Sequence, residues 1–402
     1  MKRKILILSA LFVFSILFLG WSYNYESMNS IYSISEEQIS GIFFGLDTKE
    51  IHKEFKVSKG QKLKLELKIG ADIEVNGWNK DIVEVDVKLK GDDAEYINID
   101  FKESSSGVKV RAEYDDDEGN WDASAKFIVK VPNVFDLEFD TMGGDVDLDG
   151  VDGELSGTTM GGDLNLSHLK GKLELSTMGG DIKLTDSDVD GYVKTMGGDV
   201  TIENVVGDIN AKSMGGDIIQ KNVKRRVGDS VGEEVNIITM GGDLQVDEAA
   251  NGAKLKTMGG DISVNYVGEF LEAETMGGDI IVQKADGWIK AKTMGGDVKV
   301  KLVCNPDDDD KDVALVSMGG DIELIVPENF SMDLELEIAF TSKYEGRVKI
   351  ESDFDFDEEI TDEWKRDNGN KRKYIYGTGS VRGGKNKVKI KTINGNIYLK
   401  KI

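Results

Sequence analysis

The sequence feature that most constrains the fold is a Met-Gly-Gly-Asp motif that occurs ten times at regular intervals. Successive copies are 18, 18, 18, 18, 26, 18, 18, 18 and 24 residues apart, and ten of the 13 methionines belong to the motif. A fixed period of this length is typical of repeat proteins, in which each unit stacks on its neighbours and buries a continuous core. The motif begins at Met142, Met160, Met178, Met196, Met214, Met240, Met258, Met276, Met294 and Met318.

A weaker repeat of nine residues lies within the period. Gly162-Asp163-Leu164-Asn165-Leu166, for example, is followed by Gly171-Lys172-Leu173-Glu174-Leu175. Alternating apolar and polar residues indicate short half-buried strands, and glycine allows the bends between them. We therefore predict an all-β fold, a single-stranded β-helix or β-solenoid with about ten 18-residue rungs. Its rungs would lie about 4.8 Å apart, and atypical β-rich caps would cover both ends.

The nine-residue alignment makes a prediction about the methionines. It pairs Met160 with Val151, Met178 with Leu169 and Met214 with Val205, so that each methionine takes the corner position of an apolar residue. We therefore expect the methionines to form one interior column, because methionine fills irregular core space. Metal binding by the thioethers is an alternative. A threonine or serine precedes each methionine in the rungs, and its hydroxyl can hydrogen-bond along the stack.

The aspartate of the motif also recurs from rung to rung. Carboxylates stacked about 4.8 Å apart repel each other by about 1 kcal/mol per pair in water. We prefer the interpretation that each accepts hydrogen bonds from backbone N–H groups in the turn. The alternative is a row of Ca²⁺ ions, although calcium-binding nine-residue repeats use a different spacing, Gly-Gly-x-Gly-x-Asp. The candidate calcium ligands are Asp145, Asp163, Asp181, Asp199, Asp217, Asp243, Asp261, Asp279, Asp297 and Asp321.

The remainder of the chain divides by composition. Residues 1–22 combine a basic start with an apolar run from Ile5 to Trp21, which indicates a secretory signal or an N-terminal membrane anchor. The sequence leaves open whether this segment is cleaved. Residues 23–50 are predicted to form a linker, 51–140 a β-rich cap with the first irregular rungs, 141–326 the regular solenoid, and 327–402 the irregular C-terminal rungs and cap. We expect export to the periplasm, the cell surface or the medium.

Composition excludes several classes of protein. The formal net charge of −25 argues against binding to nucleic acid and to anionic lipid surfaces, which require clustered lysine and arginine. Contact with a membrane is therefore expected only through the N-terminal segment. Because Cys304 is the only cysteine, the chain can form no internal disulfide and no multi-thiolate metal site.

Catalysis is not predicted. An active site needs unique residues in a cleft, whereas the acidic residues here repeat from rung to rung. The chain has only two histidines, His52 and His168, and no nucleophile motif. His168 lies at a half-repeat turn, in the place that Thr177 takes in the next turn, and we expect it on the surface. We assign no catalytic or cofactor-binding residues.

Several motifs resemble those of the bacterial adhesin-like β-strand-repeat family, a domain family of unknown function. They are the Gly-Asp-apolar-x-apolar rungs, the recurring Thr-x-x-Gly-Asp turn, the closing Thr392-Ile393-Asn394-Gly395-Asn396-Ile397 and the opening Gly70-Ala71-Asp72-Ile73-Glu74-Val75 with Gly77-Trp78. The resemblance covers residues 50–402 and implies a β-helix-like envelope or surface protein, without catalytic residues.

The expected function is that of a non-catalytic adhesin or interaction scaffold that presents a long acidic solenoid surface to a surface, glycan or protein partner. Three alternatives remain open at this point: a polysaccharide-active β-helix enzyme, a calcium-stabilised repeat protein and a self-associating filament.

Overall fold

The structure is a computed structural model that describes residues 49–115, 122–224, 234–303, 311–367 and 369–402. The predicted signal or anchor, nearly all of the linker, Cys304 and most of the extra residues in the 26-residue and 24-residue steps of the repeat lie outside these residues. Within the described ranges the chain forms 33 strands and two 3₁₀ turns, at Ala94–Tyr96 and Ser342–Tyr344, and no α-helix. No helix there has the length and apolar character that a membrane span requires.

The strands fall into three groups along the chain. The N-terminal group is β1 (Lys49–Lys56), β2 (Lys62–Trp78), β3 (Ile82–Lys90), β4 (Ile97–Ser104), β5 (Gly107–Tyr114), β6 (Ser124–Pro132) and β7 (Asp136–Gly143). The array is β8 (Val146–Asp149), β9 (Asp152–Thr159), β10 (Leu164–Ser167), β11 (Lys170–Thr177), β12 (Ile182–Thr185), β13 (Asp188–Lys194), β14 (Val200–Glu203), β15 (Ile209–Lys212), β16 (Ile218–Lys221), β17 (Val235–Ile238), β18 (Leu244–Ala249), β19 (Ala253–Lys256), β20 (Ile262–Val267), β21 (Phe270–Glu274), β22 (Ile280–Ala285), β23 (Trp288–Thr293), β24 (Val298–Leu302), β25 (Val313–Ser317) and β26 (Ile322–Val326). The C-terminal group is β27 (Met332–Phe340), β28 (Ile350–Ser352), β29 (Asp357–Ile360), β30 (Lys365–Asp367), β31 (Asn370–Val381), β32 (Asn386–Ile393) and β33 (Ile397–Lys401).

Two parallel sheets form the walls of a solenoid. The even-numbered strands β8 to β26 pair with one another in sheet A, and the odd-numbered strands β9 to β25 pair in sheet B. The register equals the sequence period, since Leu164 of β10 lies between Val146 of β8 and Ile182 of β12. One copy of the motif therefore makes one coil, as predicted, and the all-β solenoid is confirmed.

The core lies between the two sheets and runs along the stack. Leu164 and Leu166 of sheet A and Leu173 and Leu175 of sheet B are all at most 2% exposed, and they alternate with outward polar residues. This alternation is what a strand requires when only one of its faces is buried. Each rung contributes few apolar groups, so stability comes from stacking.

Antiparallel strands complete both ends of the stack. At the N-terminal end β3 pairs with β1 and β6, and β4 pairs with β5. The long strand β2 belongs to both sheets, pairing with β7 in sheet B and β8 in sheet A. At the C-terminal end β31 pairs with β27, β29 and β30. These pairings satisfy strand edges that would otherwise be open to other chains.

The chain end is inserted as a rung. Strand β32 lies between β25 and β27 in sheet B, and β33 pairs with both β26 and β28 in sheet A. The last 17 residues, from Asn386 to Ile402, therefore continue the array directly after the strands of residues 313–326. This return brings lysines of the C-terminal segment beside side chains of the central rungs.

Candidate functional site along the Met-Gly-Gly-Asp edge

The methionines of the motif lie on the surface. Their side chains are between 41% and 56% exposed, the extremes being Met160 and Met142. The predicted interior column is therefore wrong, and the buried residue of each turn is the threonine or serine before the methionine, such as Thr177 at 2% exposure. The ten methionines instead form a column along one edge of the solenoid, which we call the methionine column.

The error has a simple geometric cause, because the two edges of the solenoid bend differently. In β11, Leu173, Leu175 and Thr177 follow the strand alternation and all point inward, so the next residue, a methionine, must point outward. At the other edge, in the rungs from Gly150 to Asn222, a residue with left-handed backbone shifts the alternation by one. His168, for example, has φ of 52°, and the inward residues on either side of it are Leu166 and Leu169.

The paired corners of the nine-residue alignment are therefore not equivalent. Val151, Leu169 and Val205 are at most 1% exposed, whereas the methionines aligned with them are exposed. His168 is likewise not equivalent to the buried Thr177, although its expected surface position is correct. Its place in the neighbouring rungs is taken by Gly150, Asp186, Asn204 and Asn222, all with positive φ. Glycine, asparagine and aspartate are the residues that best tolerate this conformation.

The inward threonine joins two rungs. Thr177 Oγ1 donates to the carbonyl oxygen of Gly162 in the preceding rung at 2.8 Å, and it accepts the N–H of Gly180 at 3.3 Å. The same donation is made by Thr195, Ser213, Thr257 and Thr293. The predicted hydroxyl column is confirmed, and it satisfies buried backbone carbonyls where the chain leaves sheet B.

The second glycine of the motif is required by the spacing of the rungs. A Cβ on Gly180 would lie 2.2 Å from the carbonyl oxygen of Gly162 and 2.6 Å from Oδ1 of Asp163. A Cβ on the first glycine, Gly179, would be 3.4 Å from its nearest neighbour. The two glycines thus have different roles, and close approach of consecutive rungs explains the second.

The aspartates form a ladder of hydrogen bonds between rungs. Oδ1 of Asp163 accepts the backbone N–H of Asp181 at 2.8 Å, and Oδ1 of Asp181 accepts that of Asp199 at 2.8 Å. The ladder begins at Asp72 and ends with the N–H of Asn396 on Asp321. Carboxylates do accept backbone N–H groups, as we preferred, but the donor belongs to the next rung. Each such bond offsets part of the repulsion between stacked carboxylates. Calcium binding by these aspartates stays the alternative interpretation.

The two histidines lie apart on exposed surfaces. His168 Nδ1 is 2.7 Å from Oδ1 of Asp149, and His52 Nδ1 is 2.6 Å from Oδ1 of Asp86. Hydrogen bonding to the partner carboxylate raises the pKa of both imidazoles, and the pKa of Asp149 is lowered by the same contact with His168. Across the described residues, no group of three or more His, Cys, Asp or Glu side chains converges on a possible metal position.

Sequence reasoning missed an aromatic pair on the outer face of sheet B. The rings of Phe270 and Trp288 stack with centroids 5.1 Å apart and an interplanar angle of 15°. The signal was present, because the two residues are one period of 18 apart and therefore stack in the register of the solenoid. The groove beside Trp288 is also lined by Lys387 and Lys389 of the C-terminal rung, which the sequence did not place.

The family model described as Toastrack DUF4097 matches residues 190–400, which is more than half of the chain. The chain belongs to the Toastrack DUF4097 family. The resemblance stated from the motifs is thereby confirmed, and the matched region includes the two long steps of the repeat and the C-terminal rung of this Toastrack domain. No curated protein matches the chain.

Three solved structures are similar to this Toastrack chain. A putative cell adhesion protein from Clostridium sporogenes is 10% identical, with 88% of this chain and 100% of that chain covered and a TM-score of 0.20. A putative lipid binding protein from Parabacteroides distasonis is 15% identical, with 63% and 97% covered and a TM-score of 0.31. A putative adhesin from Bacteroides fragilis is 16% identical, with 69% and 97% covered and a TM-score of 0.23.

Proposed function

We propose that this Toastrack protein is an exported, non-catalytic interaction scaffold of the adhesin type, which binds an extended partner at the cell envelope through its methionine column. The observation that carries the proposal is the exposure of ten aligned methionines on a chain with a net charge of −25. A contiguous apolar stripe on an otherwise charged surface is characteristic of an interaction site.

The chemistry of the column suits an adaptable contact. Methionine is unbranched and polarizable, so a row of thioethers can adjust to partners of irregular shape. The spacing of about 4.8 Å between successive side chains is that of neighbouring strands. A partner that is itself extended, such as a polymer or a β-strand-rich protein, would contact several rungs at once, and weak contacts would add up along it.

The repeated acids support a structural role over a catalytic one. Each carboxylate of the aspartate ladder accepts a backbone N–H group of the next rung at about the same distance, for example 2.9 Å at Asp145 and 2.7 Å at Asp261. General acid–base chemistry requires two carboxyl groups in different environments, so that one is protonated while the other is charged. A ladder of equivalent carboxylates does not provide that difference.

Export is part of the same proposal and is supported by the sequence alone. A basic start followed by the apolar run from Ile5 to Trp21 is the pattern of a secretory segment. Cell fractionation with N-terminal sequencing of the mature chain tests it, and an intact cytosolic protein would contradict it.

The binding role is tested with methionine variants of the full-length protein. One variant replaces four neighbouring methionines by glutamine, and the matched control replaces four outward residues of sheet A in the same rungs. The methionines are Met160, Met178, Met196 and Met214, and the control residues are Asn165, Lys183, Thr201 and Ile219. Both sets lie outside the core, so both variants should melt like the wild type.

Binding to isolated envelope fractions is then measured for the three proteins. We expect the methionine variant to bind at least about tenfold more weakly, equivalent to about 1.4 kcal/mol, and the control to bind like the wild type. Equal binding by all three proteins would show that the methionine column is not the contact surface. Cleavage of envelope polysaccharide that is lost on replacing one particular acid would establish the enzymatic alternative.

A further inference from the structure

The rung before the aromatic pair on sheet B leaves room for the ring of Phe270. Gly252 occupies the position before Ala253, whose register partner is Leu271, so Phe270 is its neighbour in the next rung. A Cβ on Gly252 would lie 2.3 Å from Cδ1 of Phe270. The glycine therefore leaves the space in which the Phe270 ring lies, and Trp288 stacks on that ring from the following rung.

Beyond Trp288 the outer face of sheet B contains a groove with a volume of about 490 Å³. Ala314 lies in register between Lys290 and Lys389, and its small side chain leaves the floor of the groove open. Trp288 forms one wall, and Asp312 and Lys387 lie along the same column of the sheet. Since Phe270 covers the side of the indole toward the preceding rung, the other side is the one presented to the groove.

The groove is basic on a strongly acidic protein. Its lysines are Lys290, Lys387 and Lys389, against the single carboxylate of Asp312. Asp312 already accepts the backbone N–H of Lys387 at 2.7 Å. Lys389 is paired with Glu335 at 2.7 Å and Lys290 with Glu272 at 3.4 Å, while no described carboxylate forms an ion pair with Lys387. Exposed pairs of this kind exchange partners at little cost.

A flat aromatic wall beside cationic groups is suited to one class of ligand. The faces of an indole carry partial negative charge and attract the weakly positive C–H edges that line one side of a pyranose ring. Lysine ammonium groups at the rim attract a carboxylate or sulfate. Small-molecule sites generally combine an aromatic lining with a few polar groups that fix orientation.

We propose that this groove binds an anionic sugar residue of a polysaccharide, with Trp288 stacked on the sugar ring and Lys387 and Lys389 paired with its anionic group. The proposal extends the binding role given above to a named class of ligand, but it uses a surface separate from the methionine column. Its failure and the failure of the methionine proposal can therefore be told apart.

Calorimetric titration of the full-length protein tests the proposal with three trisaccharides. They are trigalacturonate, a sulfated galactan trisaccharide and neutral galactotriose. We expect the two anionic sugars to bind, the neutral one to bind at least about fivefold more weakly, and salt to reduce the anionic affinities. Trp288→Ala should weaken anionic binding at least about tenfold, while Tyr192→Ala, at an exposed aromatic of β13 outside the groove, should leave it unchanged.

A second variant keeps the proposal testable if Trp288→Ala fails to fold. Lys387 is exposed, so Lys387→Gln leaves the core in place, and it should weaken anionic binding about threefold or more without changing the neutral sugar. The four-methionine variant should bind sugars like the wild type. If either the carboxylated or the sulfated trisaccharide binds and both variants weaken its binding, the proposal is supported. The sugar that binds then identifies the anionic group as a carboxylate or a sulfate.

Three results would overturn it. They are no detectable binding of either anionic trisaccharide at millimolar concentration, anionic binding that Trp288→Ala and Lys387→Gln leave unchanged, and preferential binding of an acidic peptide such as oligoglutamate over both sugars. If envelope binding persists in any of these cases, the scaffold role stands without the sugar site.

Discussion

The two glycines of one motif offer a matched pair for testing how the rungs are held together. Gly180→Ala introduces a Cβ that would lie 2.2 Å from the carbonyl oxygen and 2.4 Å from the carbonyl carbon of Gly162. These are backbone atoms of the preceding rung and cannot rotate away. Gly179→Ala adds the same methyl group one residue earlier, where the nearest atom is 3.4 Å away. Neither glycine has a positive φ, so the two changes differ in space alone.

The expected cost of Gly180→Ala follows from the bonds that the clash disturbs. Relieving it separates two rungs locally and lengthens the Thr177 Oγ1 to Gly162 bond and the Asp181 N–H to Asp163 bond, both 2.8 Å. Two such bonds contribute about 1 kcal/mol each, and overpacking adds about 1–3 kcal/mol. Alanine also lowers the conformational entropy of the unfolded chain, which stabilises the folded state by about 0.4–1 kcal/mol. We expect a net loss of about 3 kcal/mol for Gly180→Ala and a change within about 1 kcal/mol for Gly179→Ala.

The assay combines urea unfolding with hydrogen exchange. Because rungs interact mainly with their neighbours, the damage should be local. Amide protection should fall in β10, β11 and β12 and should recover several rungs away. Equal midpoints and equal exchange in the two alanine variants would refute the argument that close approach of the rungs explains the second glycine.

Four further predictions concern the two edges of the solenoid and the exposure of its methionines. Thr177→Val removes the hydroxyl between rungs and should lower the free energy of urea unfolding by about 1–2 kcal/mol; Thr177→Ser should retain most of it, and equal losses in both would contradict the hydroxyl's role. Asp149 raises the pKa of His168. The contribution of this pair to the free energy of unfolding is therefore present below the pKa that the histidine has in the unfolded chain. It is lost as the pH rises through the higher pKa of His168 in the folded protein. Asp149→Asn should lower the histidine midpoint in an NMR titration, and an unchanged midpoint would exclude the contact. Thermal melts with calcium and with a chelator should coincide, since the aspartate ladder already accepts backbone N–H groups, and a large calcium-dependent rise would indicate bound metal. Dilute peroxide should oxidise the methionine column but spare Met332, which is 0% exposed, with unchanged circular dichroism; equal oxidation of Met332 in peptide mapping would contradict the assigned burial.

Much of the solenoid could be predicted from the sequence because its information is local and repeated. The 18-residue spacing of the motif is also the register of the strands, as the pairing of Leu164 with Ile182 shows. A residue that recurs at the period must stack on its own copies, so the hydroxyl column and the alignment of the aspartates followed from composition and spacing. That the N–H donors of the aspartates belong to the next rung did not follow from them. Asp72 could likewise be recognised as part of an early rung, and it starts the ladder.

The direction of the methionines was decided by the tertiary structure. Side chains in a strand alternate, so a shift of one residue at a bend exchanges inside and outside. His168, with its left-handed backbone, makes such a shift at one edge, whereas the strand that ends at Thr177 makes none at the other. Nothing in the apolar character of Leu169 and Met178 distinguishes these two geometries.

The groove beside Trp288 also depended on the tertiary structure, for a different reason. By itself the sequence determined the repeat, and with it which residues lie one period apart, such as the aspartates of the motif and the pair of Phe270 and Trp288, although that pair was not recognised from it. Lys387 reaches the groove only because the chain end returns as a rung between β25 and β27. The position of this C-terminal rung depends on which strand edges remain unpaired when the rest of the molecule has folded. An unpaired edge is a property of the assembled sheet and not of any segment within it.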